Sequence, residues 1–330
     1  MKIPALPSIL RAAPFLFVDA GAAGGFQDRW TVLRPHLKVI GFEPDRRSFD
    51  ALASTDEVVY INAGVGKAPE TRTLFLTRKP TCTATFPPNS EWLARFPDAE
   101  RYEEVARAEI SVTAMDDALE QAFGRLPAVD FVKLDIHGCE PDVLAGARRI
   151  IAAGVIGFEI ELCFASLWRG QGLFHDTAAR MAELGFELFD VRPYYWKREA
   201  SVAAQIRGQM VFGDALFFRA PEDVCALVRA MADREDARAK AAHALSAYLV
   251  YGYRDLAAAL LRLVEDLFSA EERAAIDAAI RPGLGERAAG FLLRRAKLHR
   301  LAHWLATITD PHGRTFVQCG TRLGNYDDLR

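Results

Sequence analysis

The sequence is short of cysteine, of long apolar runs and of net charge, and each shortage excludes a class of protein. Five cysteines, at positions 82, 139, 163, 225 and 319, are scattered, odd in number and without a C-x-x-C pair. That argues against a disulfide framework and against a structural zinc site, and reduced thiols and a cytoplasmic location are expected. A membrane span needs roughly 18 uninterrupted apolar residues, and no stretch supplies them. Pro4, Pro7 and Pro14 break up the segment around Lys2 and Arg11, so neither a signal peptide nor a transmembrane helix is expected. A formal charge of −3 provides no basic footprint for a nucleic-acid backbone. What remains is a globular composition, 51% hydrophobic and 26% charged over 330 residues, enough for one large domain or two ordinary ones.

The most informative stretch is VDFVKLDIHGCEPDVLAGARRIIAAG, residues 129–154. Its apolar start, Val129, Phe131, Val132, Leu134 and Ile136, reads as a buried central strand. Asp135 and His137 follow two residues apart, so they share a face on extended backbone, and Gly138 marks a turn. A helix is then expected from Pro141, with Glu140 and Asp142 at its positive end, Arg148 and Arg149 in its last turn, and Gly154 as the stop. Open α/β sheets bind ligands at such strand-to-helix loops.

Phe15 to Ala20 reads as a first strand running into Gly21, Ala22, Ala23, Gly24 and Gly25, where small residues let a backbone approach a ligand. A helix over about 27–36 and a second strand, Lys38 to Phe42, complete a βαβ unit of nucleotide-binding type, with Glu43 where a ribose diol would sit. A dinucleotide fingerprint read from Gly21 would need glycine where Ala23 and Phe26 stand, and so it fails. A helix over 45–53, a strand over 58–62 and an extended segment over 71–77 are expected next. Residues 78–108 lack periodicity, and TCTATFPPN cannot be helical. Thr81, Thr83, Thr85 and Asn89 suit either a polar substrate or a solvated loop.

Residues 110–115 read as extended, and Asp116 and Asp117 as the opening of a short helix. Val155 to Leu162 reads as a strand with Glu159 and Glu161 on one face, which must reach a cleft or find partners. After a helix over 174–184, the strands 186–191 and 211–219 fit an antiparallel hairpin, because no crossover helix lies between them. The loop joining them would carry Tyr194, Tyr195 and Trp196. Beyond Pro221 the pattern is helical, with a capping box at Ser269 and Glu272 and a boundary near residue 220. A basic helix over 286–308 reads as a solvated face, with contact to an anionic membrane surface as the alternative.

Taken together, FVDAGAAGG, VIGFEPD, the loop ending in PPN, VTAMDDAL, VDFVKLDIHGCEPDVLAGA and FEIEL resemble the FkbM family of S-adenosylmethionine-dependent methyltransferases, over roughly residues 15–219. The family motif is an acid, a hydrophobic residue, Glu, Gly, any residue and Glu. Here Asp135, Gly138 and Glu140 are kept, His137 replaces the first Glu, and Ala23 stands where the family usually has Asn.

The resemblance implies a class I methyltransferase fold: an α/β, Rossmann-like sheet of seven mostly parallel strands, the last antiparallel. That domain would span 1–220, with a helical C-terminal domain over 221–330. It also implies S-adenosylmethionine as cofactor. Asp19, Gly21, Ala22 and Gly25 would lie at its methionine end, Glu43 on the ribose, and Asn62 and Ala63 on the adenine side, with Asp116 as a further candidate.

The acceptor would be a sugar hydroxyl in a glycan, a polysaccharide precursor or a glycosylated small molecule. Such a hydroxyl needs a base. His137 is the first choice because imidazole titrates near neutrality, and Asp135 is the second. Glu140, Glu159, Glu161, Thr85 and Asn89 are candidate acceptor contacts. The spacing of Asp135, His137, Glu159 and Glu161 is compatible with a divalent metal without being diagnostic, and no metal is expected. An NAD-dependent oxidoreductase would share the first strand, the glycines and Glu43. A catalytically silent binding protein is the other alternative, kept open by His137.

Overall fold

The structure, a computed structural model, describes residues 7–198 and 208–281. Among these residues the strands are β1 Phe15–Ala20, β2 Leu37–Phe42, β3 Val58–Ile61, β4 Gly64–Gly66, β5 Glu70–Thr77, β6 Glu104–Ala114, β7 Phe131–Leu134, β8 Gly157–Cys163, β9 Glu187–Trp196 and β10 Gln209–Phe218. The helices are α1 Arg46–Phe49, α2 Ser90–Leu93, α3 Met115–Phe123, α4 Glu140–Gly146, α5 Arg148–Ala153, α6 Phe174–Glu183, α7 Pro221–Arg229, α8 Arg234–Tyr251, α9 Arg254–Leu263 and α10 Ala270–Ile280.

Seven strands form one sheet in the order β3-β2-β1-β7-β8-β10-β9. The pairs from β3 to β8 are parallel, and β10 runs antiparallel to both β8 and β9. This is the expected class I methyltransferase sheet, and its reversed strand follows from a hairpin that has no crossover helix. The central strands are buried on both faces, as Phe17, Val18, Phe131, Val132, Phe158 and Ile160 record, which is why they read as apolar runs.

One face packs Val18, Ile40, Val132, Leu134 and Phe158 against Met115 and Leu119 of α3, Leu144 of α4, Ile150 of α5 and Met181 of α6. The other packs Phe15, Phe17, Val39, Phe131 and Phe218 against Leu245 and Tyr248 of α8 and Leu260 of α9. The β1–β2 connection holds only a 3-10 turn, Asp28–Leu33, in place of the helix expected over 27–36. Pro35 disfavours helical backbone at the residue before it, and Arg34 leaves the helical region with ψ 148°. Trp30 fills part of the gap, with its ring 4.8 Å from that of Phe131 and 5.7 Å from that of Tyr251, and α8 covers the rest.

Helix α8 is tied down by polar contacts as well. Lys240 Nζ lies 2.5 Å and His243 Nδ1 3.0 Å from Asp130 Oδ1, while Asp130 Oδ2 accepts from the Leu16 N–H at 2.9 Å. Burial pushes the Asp130 carboxyl up, but Lys240 and His243 outweigh it and hold it at about 2. Tyr248 donates to the Arg219 carbonyl at 2.7 Å.

Several expectations are corrected. The helix expected over 45–53 is the single turn of α1. The helix after Gly138 is two helices, so Arg148 and Arg149 open α5 rather than close a longer helix. The break has a cause: Asp116 accepts from the Arg149 N–H at 2.7 Å and the Ile150 N–H at 3.1 Å, capping the start of α5. The extended segment expected over 71–77 is β5, which pairs with β6 in a small sheet of order β4-β6-β5. The aperiodic span 78–108 includes α2 and the start of β6. Tyr194, Tyr195 and Trp196 belong to β9 rather than to a loop. The basic segment 286–308 lies outside the described residues. Among the described residues, no helix is long and apolar enough to cross a membrane.

Candidate active site

A cleft of about 360 Å³ opens where β1, β2, β7 and β8 end. Gly21 forms its floor with φ +84°, and a Cβ there would lie 1.9 Å from the Asp135 carbonyl oxygen. Only glycine fits, because the loops after β1 and β7 cross backbone on backbone. Gly21, Gly25, Glu43 and Ala63 line this cleft. Glu43 is 5% exposed, its Oε1 accepting from the Asp45 N–H at 2.8 Å. Burial pushes its carboxyl up to about 7, partly offset by that hydrogen bond.

Asp135, His137 and Glu161 line the same cleft. His137 takes a left-handed backbone, φ 58°, uncommon for a side chain of this size. Its ring stacks on Trp168 with centroids 4.4 Å apart. Nδ1 lies 2.8 Å from the Thr83 carbonyl, which can only accept, so Nδ1 carries the proton and in the neutral ring the lone pair sits on Nε2. Nε2 lies 3.7 Å from Asp135 Oδ1 and 3.6 Å from Glu161 Oε1. Thr85 lines the cleft too, with its Oγ1 2.9 Å from Cys139 Sγ.

Other expected site residues hold the cleft together without lining it. Ala22 is buried. Asn62 donates to the Glu43 carbonyl at 2.8 Å, and Asn89 to the Ser166 carbonyl at 2.9 Å. Glu140 accepts from the Gly138 N–H at 3.1 Å, and burial pushes its carboxyl up to about 7. Glu159 accepts from Gln27 at 2.5 Å and from the Tyr251 hydroxyl at 2.6 Å, so it joins the β1 loop to α8 and bounds a second, smaller hollow. Asp116, as the cap of α5, lies away from the cleft. Asp19 is 1% exposed; burial pushes its carboxyl up to about 6 against the pull of Lys133.

Sequence reasoning missed Lys133. Its Nζ lies 3.4 Å from Asp19 Oδ1 and 3.1 Å from Asp135 Oδ2. Burial alone would lower its pKa, but Asp135 and Asp19 outweigh that and raise it. The signal was a lone lysine inside a buried strand, two residues before Asp135 and so on its face. Arg192, Tyr194 and Asp214 also line the cleft, with Arg192 Nε 2.9 Å from Asp214. Strand register alone brings that pair together.

Comparison with known proteins gives a match to the Methyltransferase FkbM domain over residues 19–188, more than half of the chain. Similar solved structures include Methyltransferase FkbM from Methylobacillus flagellatus KT, at 17% identity and TM-score 0.34, covering 62% of this chain and 43% of that one. Another is magnesium protoporphyrin IX methyltransferase from Synechocystis PCC 6803 with bound SAM, at 10% identity and TM-score 0.31, covering 64% and 75%. A third is 1,6-didemethyltoxoflavin-N1-methyltransferase from Burkholderia thailandensis, at 14% identity and TM-score 0.29, covering 64% and 76%. The match thus spans less than half of the Methylobacillus protein. No curated protein sequence matches the chain.

Proposed function

The chain belongs to the FkbM methyltransferase family, and from that premise we propose that it transfers a methyl group from S-adenosylmethionine to a sugar hydroxyl of a glycan, a polysaccharide precursor or a glycosylated small molecule. One observation carries this reading: Glu43 and the Gly21 and Gly25 positions of the glycine turn line the same cleft as Asp135, His137 and Glu161.

The residues present fit the cofactor. A Glu43 carboxylate can accept from both hydroxyls of a ribose, and the Gly21 turn lets a ligand lie against backbone. Asp135 and Glu161, which line the cleft, suit a ligand bearing sulfonium and ammonium charge, whereas a dinucleotide's pyrophosphate would be repelled by them. When bound, S-adenosylmethionine supplies an electrophilic methyl group.

The chain's own residues then orient the acceptor and weaken its O–H bond. In the bare group, His137 Nε2 is the proton acceptor: the Thr83 carbonyl fixes its tautomer, Trp168 fixes its plane, and Asp135 and Glu161 stabilise the imidazolium that forms. Thr85, Arg192 and Asp214 offer donors and acceptors suited to a polyhydroxylated acceptor.

The test combines calorimetry with a transfer assay. S-adenosylmethionine should bind and NAD should not, and labelled methyl should pass to a saccharide acceptor. His137→Asn, which tolerates the left-handed backbone, and Asp135→Asn should each lower kcat by roughly 10²–10⁴ with little change in cofactor affinity. NAD binding without S-adenosylmethionine binding would sink the reading, and unchanged kcat in both variants would remove the base assignment.

A further inference from the structure

We infer that Asp135, His137 and Glu161 form a binding site for one first-row divalent cation, held by His137 Nε2 and one oxygen from each carboxylate. The three ligand atoms lie within 4.8 Å of one another, with the imidazole nitrogen 3.7 Å from Asp135 Oδ1 and 3.6 Å from Glu161 Oε1. Ion–ligand distances of about 2.0–2.2 Å place neighbouring ligand atoms roughly 3–3.5 Å apart, so small side-chain rotations close the set on one ion.

The histidine supplies the argument that the carboxylates alone would not. Because Nδ1 donates to the Thr83 carbonyl, the neutral ring aims a lone pair, not an N–H, at two groups that when ionised can only accept. That arrangement is repulsive unless a positive charge, a proton on Nε2 or a metal ion, lies among the three atoms. A ring nitrogen donating to a backbone carbonyl while the other faces an ion is the usual support of a metal-bound histidine, and this favours the ion. Lys133 plays the matching part for Asp135, holding Oδ2 at 3.1 Å while Oδ1 lies 3.7 Å from His137 Nε2. Trp168 locks the ring in place.

One imidazole and two carboxylates favour ions such as Mn²⁺, Fe²⁺ or Zn²⁺ over Mg²⁺ or Ca²⁺, which prefer all-oxygen sites. Three protein ligands leave at least one coordination position for another oxygen. The purpose of the site rests on the function proposed above, since the acceptor hydroxyl is the oxygen that would take this position. Nε2 is then a ligand rather than a proton acceptor, and the ion acidifies the hydroxyl directly.

The experiment is a Mn²⁺ titration of the chelator-treated, full-length chain, followed by electron paramagnetic resonance, with S-adenosylhomocysteine binding measured on the same samples. One Mn²⁺ per chain is expected, bound at least tenfold more tightly than Mg²⁺. Glu161→Gln, Asp135→Asn and His137→Asn should each weaken it at least tenfold, while the surface change Glu91→Gln should not; circular dichroism establishes folding. Absence of saturable Mn²⁺ binding in a chain that binds S-adenosylhomocysteine overturns the cation site and leaves the methyltransferase reading standing. Binding unaffected by all three substitutions also overturns it, as does Mg²⁺ binding as tight as Mn²⁺. One site lost in the three variants, in a chain that ignores S-adenosylhomocysteine, supports the cation site and refutes the methyltransferase reading.

Discussion

Cofactor affinity should depend on pH through Glu43. Its carboxyl is pushed up to about 7 by burial, yet it must be ionised to accept hydrogen bonds from two ribose hydroxyls. With a pKa near 7, about one-tenth of the apo chains carry the carboxylate at pH 6 and about nine-tenths at pH 8. If only that form binds well, the Kd for S-adenosylhomocysteine falls roughly tenfold between those pH values, about 1.4 kcal/mol. Glu43→Gln should remove this slope and cost about 1.5–3 kcal/mol of affinity, the worth of a hydrogen bond to a charged group. Asp19, pushed up to about 6, titrates in both proteins and so sets the residual slope of the variant. The effect on stability has the opposite sign. The folded apo chain holds this proton up to about pH 7 and the unfolded chain only up to about 4.5. Stability from this group is therefore fully present below pH 4.5 and falls as pH rises through 7, by roughly 3 kcal/mol. Calorimetry in two buffers of different ionisation enthalpy reads both affinity and proton release. A wild-type Kd that is constant from pH 6 to pH 8 would refute the argument.

The remaining predictions concern stability. Lys240→Met leaves Asp130 buried with only part of its pairing and should cost about 3–5 kcal/mol in denaturant unfolding. In the wild type, Asp130 has a folded pKa of about 2 against 3.8, so its contribution of roughly 2 kcal/mol is complete above pH 4 and lost as pH falls through 2. Asp116→Ala removes the cap of α5 and should cost about 0.5–2 kcal/mol of stability. Affinity for S-adenosylhomocysteine should not change, and a large loss would return Asp116 to the cofactor site.

Legibility in the sequence followed the range of the interaction. β1 was read to the residue and the β9–β10 hairpin in the correct sense, because burial on both faces and the lack of a crossover helix are properties of neighbouring residues. The break at Ala147 was not legible, since the cap that divides α4 from α5 comes from Asp116, more than thirty positions away. Glu159 and Glu161 looked equivalent on their strand. The fold separates them, sending one to Tyr251 of α8 and the other to His137.

By itself, then, the sequence determined the α/β class, the places of the central strands, the glycine turn and the presence of Asp135 and His137 at the end of one strand. These depend on local sterics, alternation and the cost of burying charge. Tertiary structure alone decided which side chains meet. The proton position on His137 is set by a carbonyl 54 residues earlier in the chain, the two cleft-bound loops touch because Gly21 meets the Asp135 backbone, and Lys133 lies between carboxylates from two strands. Long-range register and packing bring such groups within hydrogen-bonding distance, and no local pattern encodes that separation.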